Sequence, residues 1–88
     1  MHELGLAESI LDLVRQHVPD EAAAGVGAVR VRVGHLAGVI PESLAFCFGA
    51  IVAGTPYAGA TLAIESVPAS AELRVVDLEF DDVRGLAP

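Results

Sequence analysis

The first fifth of the chain alternates between apolar and polar positions at helical spacing. One row of apolar residues repeats every four positions: Leu6, Ile10, Val14 and Val18. Glu8 and Asp12 fall on the opposite side, so the pattern predicts an amphipathic helix from Leu4 to Val18 that ends at Pro19. Residues 1–3 are predicted as a short strand, and residues 20–27, which contain two glycines, as a flexible linker.

The middle and the end of the chain show the two-residue period of strands. Valines 29, 31 and 33 alternate with Arg30 and Arg32, which predicts a strand with one buried and one wet face. Thr61 to Val67 predicts a second strand, and Glu72 to Phe80 a third. The apolar phase slips within this last strand, so we expect a β-bulge near Val75 and Val76.

Between these strands, Pro41 suits the first turn of a helix and Gly54 its end, which predicts a helix from Pro41 to Ala53. The resulting order is β-α-β-α-β-β, with the last two strands forming a hairpin. We therefore predict an α+β domain in which two helices pack on one face of a small three- or four-stranded, mainly antiparallel sheet.

The second helix has no charged residue from Leu44 to Ala53, although a helix in a two-layer domain should have a wet face. One interpretation is that small alanine and glycine residues line the exposed side. The other is that the helix packs against a partner or a second copy, which would make the chain a homodimer. The expected interface residues are Phe46, Phe48, Ile51 and Val52.

Composition narrows the classes of partner. The 88 residues carry a net charge of −7, with five basic residues, all arginine. This balance argues against nucleic acid and anionic membranes as partners, and is compatible with cations or a basic protein surface. The opening residues lack a signal-peptide pattern, and the longest apolar run is about half the length that spans a bilayer, so a cytoplasmic location is expected.

No set of catalytic residues is visible in the sequence. There is no nucleophile motif, no glycine-rich phosphate loop and no paired carboxylate arrangement, so the chain is predicted not to be an enzyme. Cys47 is the only cysteine, and we expect a buried, inert thiol. His17 is expected to stabilise a helix end, and His35, in a loop bounded by glycines, to play no ligand role.

The extreme N-terminus is the one place with metal-binding potential. A free α-amine at Met1, the imidazole of His2 and the backbone nitrogens between them can surround a metal with nitrogens in one plane. Square-planar nitrogen coordination suits Ni(II) and Cu(II) rather than zinc. This geometry requires that nothing precede Met1.

These residues also open a recognisable pattern. Met1-His2-Glu3-Leu4 is followed by motifs that include Val31-Arg32-Val33-Gly34-His35-Leu36-Ala37-Gly38, Pro41-Glu42-Ser43-Leu44 and Ile64-Glu65-Ser66-Val67-Pro68. In this order, over nearly the whole chain, they resemble the HypA/HybF family of hydrogenase nickel-incorporation proteins. The resemblance implies a metallochaperone that holds Ni(II) at Met1, His2 and Glu3. The implied partners are a nickel-handling GTPase and the large subunit of a [NiFe] hydrogenase, with urease maturation as a further possibility.

The chain departs from the family between Pro68 and Ala71, where family members carry a zinc domain with paired Cys-x-x-Cys motifs. We therefore expect no zinc, a single nickel-binding-type domain over residues 1–80, and a flexible tail over residues 81–88. Loss of the zinc domain also leaves an alternative function open. The chain could be a metal-independent scaffold or regulatory module in hydrogenase assembly.

Overall fold

The computed structural model describes residues 3–80; the predictions for Met1, His2 and the 81–88 tail lie outside the described residues. Two helices and three strands make up the domain: α1 (Glu3–His17), β1 (Val26–Gly34), α2 (Pro41–Val52), β2 (Thr61–Val67) and β3 (Leu73–Phe80). Short 3-10 turns precede and follow β1. The predicted α+β class, with two helices on a three-stranded sheet, is confirmed.

Two local predictions need correction. Glu3 opens α1, so the expected strand at residues 1–3 does not extend to that residue. The predicted linker begins with a 3-10 helix, Asp20–Gly25, in which Ala23 is buried, and β1 already starts at Val26. Its three consecutive alanines favour helical structure, whereas the two glycines that follow them led to the prediction of a flexible linker.

The sheet has the strand order β2-β1-β3, with β1 at its centre. β1 pairs with β2 in parallel, and α2 provides the connection between them. β1 pairs with β3 in the antiparallel direction. The expected hairpin between β2 and β3 is therefore wrong, because the helical crossover places β2 on one side of β1 and β3 occupies the other.

The connection from β2 to β3 crosses the end of β1 next to Gly34. The backbone N–H of Gly34 donates to Glu72 O at 2.7 Å, and that of Leu36 donates to Ser70 O at 2.8 Å. A Cβ on Gly34 would lie only 2.0 Å from Ser70 O. Only glycine leaves room for residues 70–72 to cross at this position.

The predicted bulge is confirmed. The pairing of β1 with β3 skips Val76, since Arg30 lies opposite Asp77 and Val31 opposite Val75. Val76 is 46% exposed, whereas Val75 is partly buried against the core. The extra residue lets the apolar side chains before and after it face the same helix layer.

The core lies between the helices and one face of the sheet. α1 and α2 each contribute a buried stripe, and β1 contributes its alternate valines. The stripe of α2 consists of Leu44, Phe48 and Val52. The opposite face of the sheet is wet, with Arg30 bound to Asp77 at 2.8 Å and Arg32 bound to Glu65 at 3.2 Å.

Two of the four residues expected to form an exposed interface on α2 are buried instead. Phe48 is fully buried and Val52 is 1% exposed, because both belong to the stripe that faces the core. Ile51 is partly buried against the same core, and Phe46 is 77% exposed. The outer face of α2 otherwise consists of Glu42 and small residues, as the first interpretation expected.

Tyr57 joins the end of α2 to the end of α1. Its ring is buried, and its hydroxyl donates to the carbonyl of Val18 at 2.5 Å and lies 3.2 Å from a carboxylate oxygen of Asp20. The guanidinium of Arg15 lies 5.6 Å from the ring centre, within cation–π range. Thr55 shapes the approach, since its hydroxyl oxygen accepts the Tyr57 N–H at 3.1 Å.

We predict that Gly34→Ala lowers the free energy of unfolding by about 3 kcal/mol, since a methyl group would collide with backbone that cannot rotate away. Chemical denaturation followed by circular dichroism measures the change. Gly49→Ala is the matched control, because nothing lies within 4 Å of the added methyl and Gly49 sits inside α2. That variant should be more stable by about 0.5–1 kcal/mol. Equal effects at the two glycines would contradict the crossing at Gly34.

The hydroxyl of Tyr57 should make stability depend on alkaline pH. Burial, with help from the Asp20 carboxylate, raises the pKa of Tyr57 above its ordinary value of 10.0. The unfolded chain therefore ionises first as the pH rises. The stability from this group is complete below pH 10 and is lost as the pH climbs towards the raised pKa.

We expect the melting temperature of the wild type to fall above about pH 10 more steeply than that of Tyr57→Phe. At pH 7 the same substitution should lower it by about 5 °C through the lost hydrogen bond. Thermal melts of both proteins from pH 7 to 11 test this. Parallel curves across that range would show that the phenol does not contribute as described.

Candidate metal centre at the start of the first helix

The described part of the candidate site is Glu3, the first residue of α1. A carboxylate in the first turn of a helix is stabilised by the partial positive charge of the helix N-terminus. The amphipathic stripe of α1 fixes the position of Glu3 relative to the domain, because Ala7 and Ile10 are buried against the core. Glu3 therefore lies at the start of a helix that is anchored to the core.

Glu3 also reaches the second helix. Its carboxylate accepts the backbone N–H of Ile40 at 3.1 Å. Ile40 is the N-cap of α2 and has no side-chain capping hydrogen bond of its own, and Pro41 follows it. A carboxylate at this position satisfies one backbone donor and places negative charge at a second helix N-terminus.

Several residues near Glu3 and Ile40 in the sequence have exposed apolar side chains. Leu4 follows Glu3, and Ile40 and Leu36 lie on the segment that leads into α2; all three are exposed. Next to the contact between Glu3 and Ile40, the exposed side chains of Leu4 and Ile40 make the surface partly anionic and partly apolar.

The other candidate ligands do not assemble into a metal site. Within residues 3–80, no three His, Cys, Asp or Glu side chains are placed to hold a metal ion together. His17 bonds through Nδ1 to the Leu13 carbonyl at 3.0 Å, in agreement with a role at the helix end. His35 is exposed in the turn after β1, and Cys47 is partly buried against the core. In the same residues, no helix has the length and apolarity needed to cross a membrane.

Sequence reasoning identified Glu3 but missed its contact with Ile40. The two residues are 37 positions apart, and Ile40 takes part through its backbone, so its residue type carries no signal. Tyr57 was missed as well, although a lone tyrosine in an apolar chain could have suggested a buried hydroxyl that needs a partner.

The architecture defines a small two-layer domain whose acidic N-terminal helix end is tied to a second helix. The family model described as "Hydrogenase/urease nickel incorporation, metallochaperone, hypA" matches residues 1–83. The chain therefore belongs to the HypA family.

Individual relatives agree with this assignment. The chain is 44% identical over 72 residues to a hydrogenase maturation factor HypA of Streptomyces avermitilis, which covers 81% of this chain and 55% of the relative. It is 43% identical over 72 residues to that of Deinococcus radiodurans, covering 82% and 60%, and 45% identical over 71 residues to that of Chlorobium limicola, covering 81% and 61%. The chain thus spans less than two thirds of the length of these relatives.

The link between Glu3 and Ile40 gives a prediction that needs no metal. Glu3→Ala should lower the free energy of unfolding by about 1 kcal/mol and speed hydrogen exchange at the Ile40 amide, which loses its acceptor. Glu3→Gln should cause smaller changes in both stability and exchange, because its amide oxygen can still accept the Ile40 N–H. Exchange measured by NMR reads the Ile40 amide directly.

Glu8→Ala serves as the control for that experiment, because Glu8 is an exposed acid on the same helix. It should leave exchange at Ile40 unchanged. Identical exchange at Ile40 in the wild type and Glu3→Ala would show that the contact does not hold in solution.

Proposed function

We propose that this chain is a nickel-binding metallochaperone domain that holds Ni(II) at Met1, His2 and Glu3 and supplies it to hydrogenase or urease maturation. The observation that supports this most directly is the family match, which begins at residue 1 and so includes all three residues. The anchoring of Glu3 at the start of α2 supports it independently, because it fixes one member of the set to the folded domain.

The donor chemistry favours nickel as the cargo. An α-amine, an imidazole and the backbone nitrogens between them form a square-planar set, which Ni(II) accepts and Zn(II) avoids. Every one of these nitrogens must lose a proton or remain unprotonated to bind. Nickel therefore competes with protons, and affinity should fall as the pH drops, first below the ordinary pKa of an α-amine, about 8, and further below that of histidine, about 6.5.

Glu3 fits this scheme as both a positioning and an acidic group. A carboxylate offers about four acceptor positions, so its bond to the Ile40 N–H is compatible with attraction of a cation. Its negative charge also offsets part of the charge of the metal. The net charge of −7 adds a general attraction for cations.

The role we propose is binding and transfer rather than catalysis. The receiving partners are those of the hydrogenase maturation machinery, with a nickel-handling GTPase and the hydrogenase large subunit proposed from the resemblance. Cys47 is the only cysteine of the 88 residues, so we expect any nickel transfer by this chain to proceed without a cysteine-rich zinc site of its own.

Isothermal titration with Ni(II) at pH 7.5 tests the site. We expect about one nickel per chain for the wild type, and an affinity at least about tenfold weaker for His2→Ala, since the imidazole is lost from the set. Adding one residue before Met1 should weaken binding similarly, because it removes the amine from its position. His17→Ala is the matched histidine control and should bind as the wild type does.

The absorption spectrum separates the outcomes. A square-planar nitrogen complex gives a visible band that hexa-aqua nickel lacks, and His2→Ala should lose it. Equal nickel binding by all four proteins would rule out the N-terminal site. A folded wild type that ignores nickel would instead favour a metal-independent interaction module.

A further inference from the structure

The free edge of β3 forms the floor of an apolar groove. β3 pairs only with β1, so its other edge carries backbone groups without a strand partner among residues 3–80. Between this edge and α1 lies a groove of about 330 Å³, lined in part by Leu13 of α1 and by Val75 and Leu78 of β3. Leu13 is 37% exposed there, although it belongs to an otherwise well-packed helix.

The side chains of β3 have an unusual order of faces because of the bulge. Leu73, Val75 and Leu78 pack towards the helix layer. By alternation Phe80 lies on the same face as Leu78, and its ring packs on Gly25. The remaining residues point to the other face: Arg74, Val76, Asp77 and Glu79.

The order of inward-facing and outward-facing side chains along β3 is the same whether it is followed from Leu73 or from Phe80. A regular antiparallel strand that pairs with its own copy must place one residue opposite itself, since neighbouring side chains point to opposite faces. Here two neighbours, Val76 and Asp77, point to the same face, so a two-fold axis can pass between them. A shift of one residue in either direction would place an inward residue opposite an outward one.

In that register the residues across the axis match in chemistry. Leu73 faces Phe80 and Val75 faces Leu78, which brings apolar side chains together on the helix side. On the other face Arg74 lies opposite Glu79, and by symmetry the pair occurs twice. Charges usually discourage an edge strand from pairing, but in this register they are of opposite sign and attract each other.

We propose that β3 pairs with β3 of a second copy of this chain in the antiparallel direction, with the two-fold axis between Val76 and Asp77. The product is a continuous six-stranded sheet with all four helices on one face. The two copies of α1 then lie side by side, and the exposed part of Leu13 is covered. Isologous pairing of this kind is the commonest route to a homodimer.

Charge reversal and its repair test the pairing. Arg74 and Glu79 are both exposed and their monomer partners are Glu72 and Arg30, also at the surface, so their substitution should leave the fold intact. Arg74→Glu and Glu79→Arg should each weaken the dimer at least about tenfold, because each opposes like charges twice. The double variant Arg74→Glu/Glu79→Arg should restore dimerisation to near the wild-type level.

Sedimentation equilibrium of the full chain, with circular dichroism to verify folding, gives the dissociation constants. Phe46→Ser on the exposed face of α2 is the control and should dimerise as the wild type does. A wild type that stays monomeric at high concentration overturns the proposal. So does a dimer that is unaffected by both reversals, or one that Phe46→Ser disrupts. None of these results depends on nickel.

Discussion

The architecture depends on the close approach of two backbone segments at Gly34. β1 has to accept a strand on each side, and the chain has only residues 68–72 in which to pass from β2 to β3. β2 and β3 lie two strand spacings, or roughly 10 Å, apart with β1 between them. The connection between them therefore runs directly against the end of β1. A side chain at Gly34 would occupy the space that Ser70 fills. The three-stranded sheet on which both helices pack therefore depends on the absence of a side chain at residue 34.

Periodicity predicted the elements well and their arrangement poorly. The span of β2 and the start of α2 match the structure, because Pro41 and the alternating apolar residues act locally. The bulge at Val76 was also readable, since a change of phase is a local signal. The neighbours of β2 and β3 were not, because a short connection suits a hairpin as well as a crossing. The decisive fact was the contact of Gly34 with Ser70, which are 36 residues apart.

The same division applies to the candidate site. Met1, His2 and Glu3 stand together in the sequence, so their potential for nickel could be argued from residue chemistry alone. What the sequence could not indicate is that Glu3 holds the start of α2 through the backbone of Ile40. The misjudged face of α2 has a similar cause. A helix that is apolar on all sides gives no indication of which residues face inward, and only packing assigns Phe48 to the core and Phe46 to the surface.

The crossing segment also has a consequence for how the two ends of the domain communicate. Ser70 accepts the N–H of Leu36, and four residues later the chain reaches Ile40, whose N–H is held by Glu3. Only one short turn and two hydrogen bonds thus separate the connection between β2 and β3 from the first residue of α1. Any extra sequence inserted into that connection would be anchored within a few residues of the proposed nickel ligands. Strain or order imposed there would reach Glu3 through these backbone hydrogen bonds rather than through the hydrophobic core.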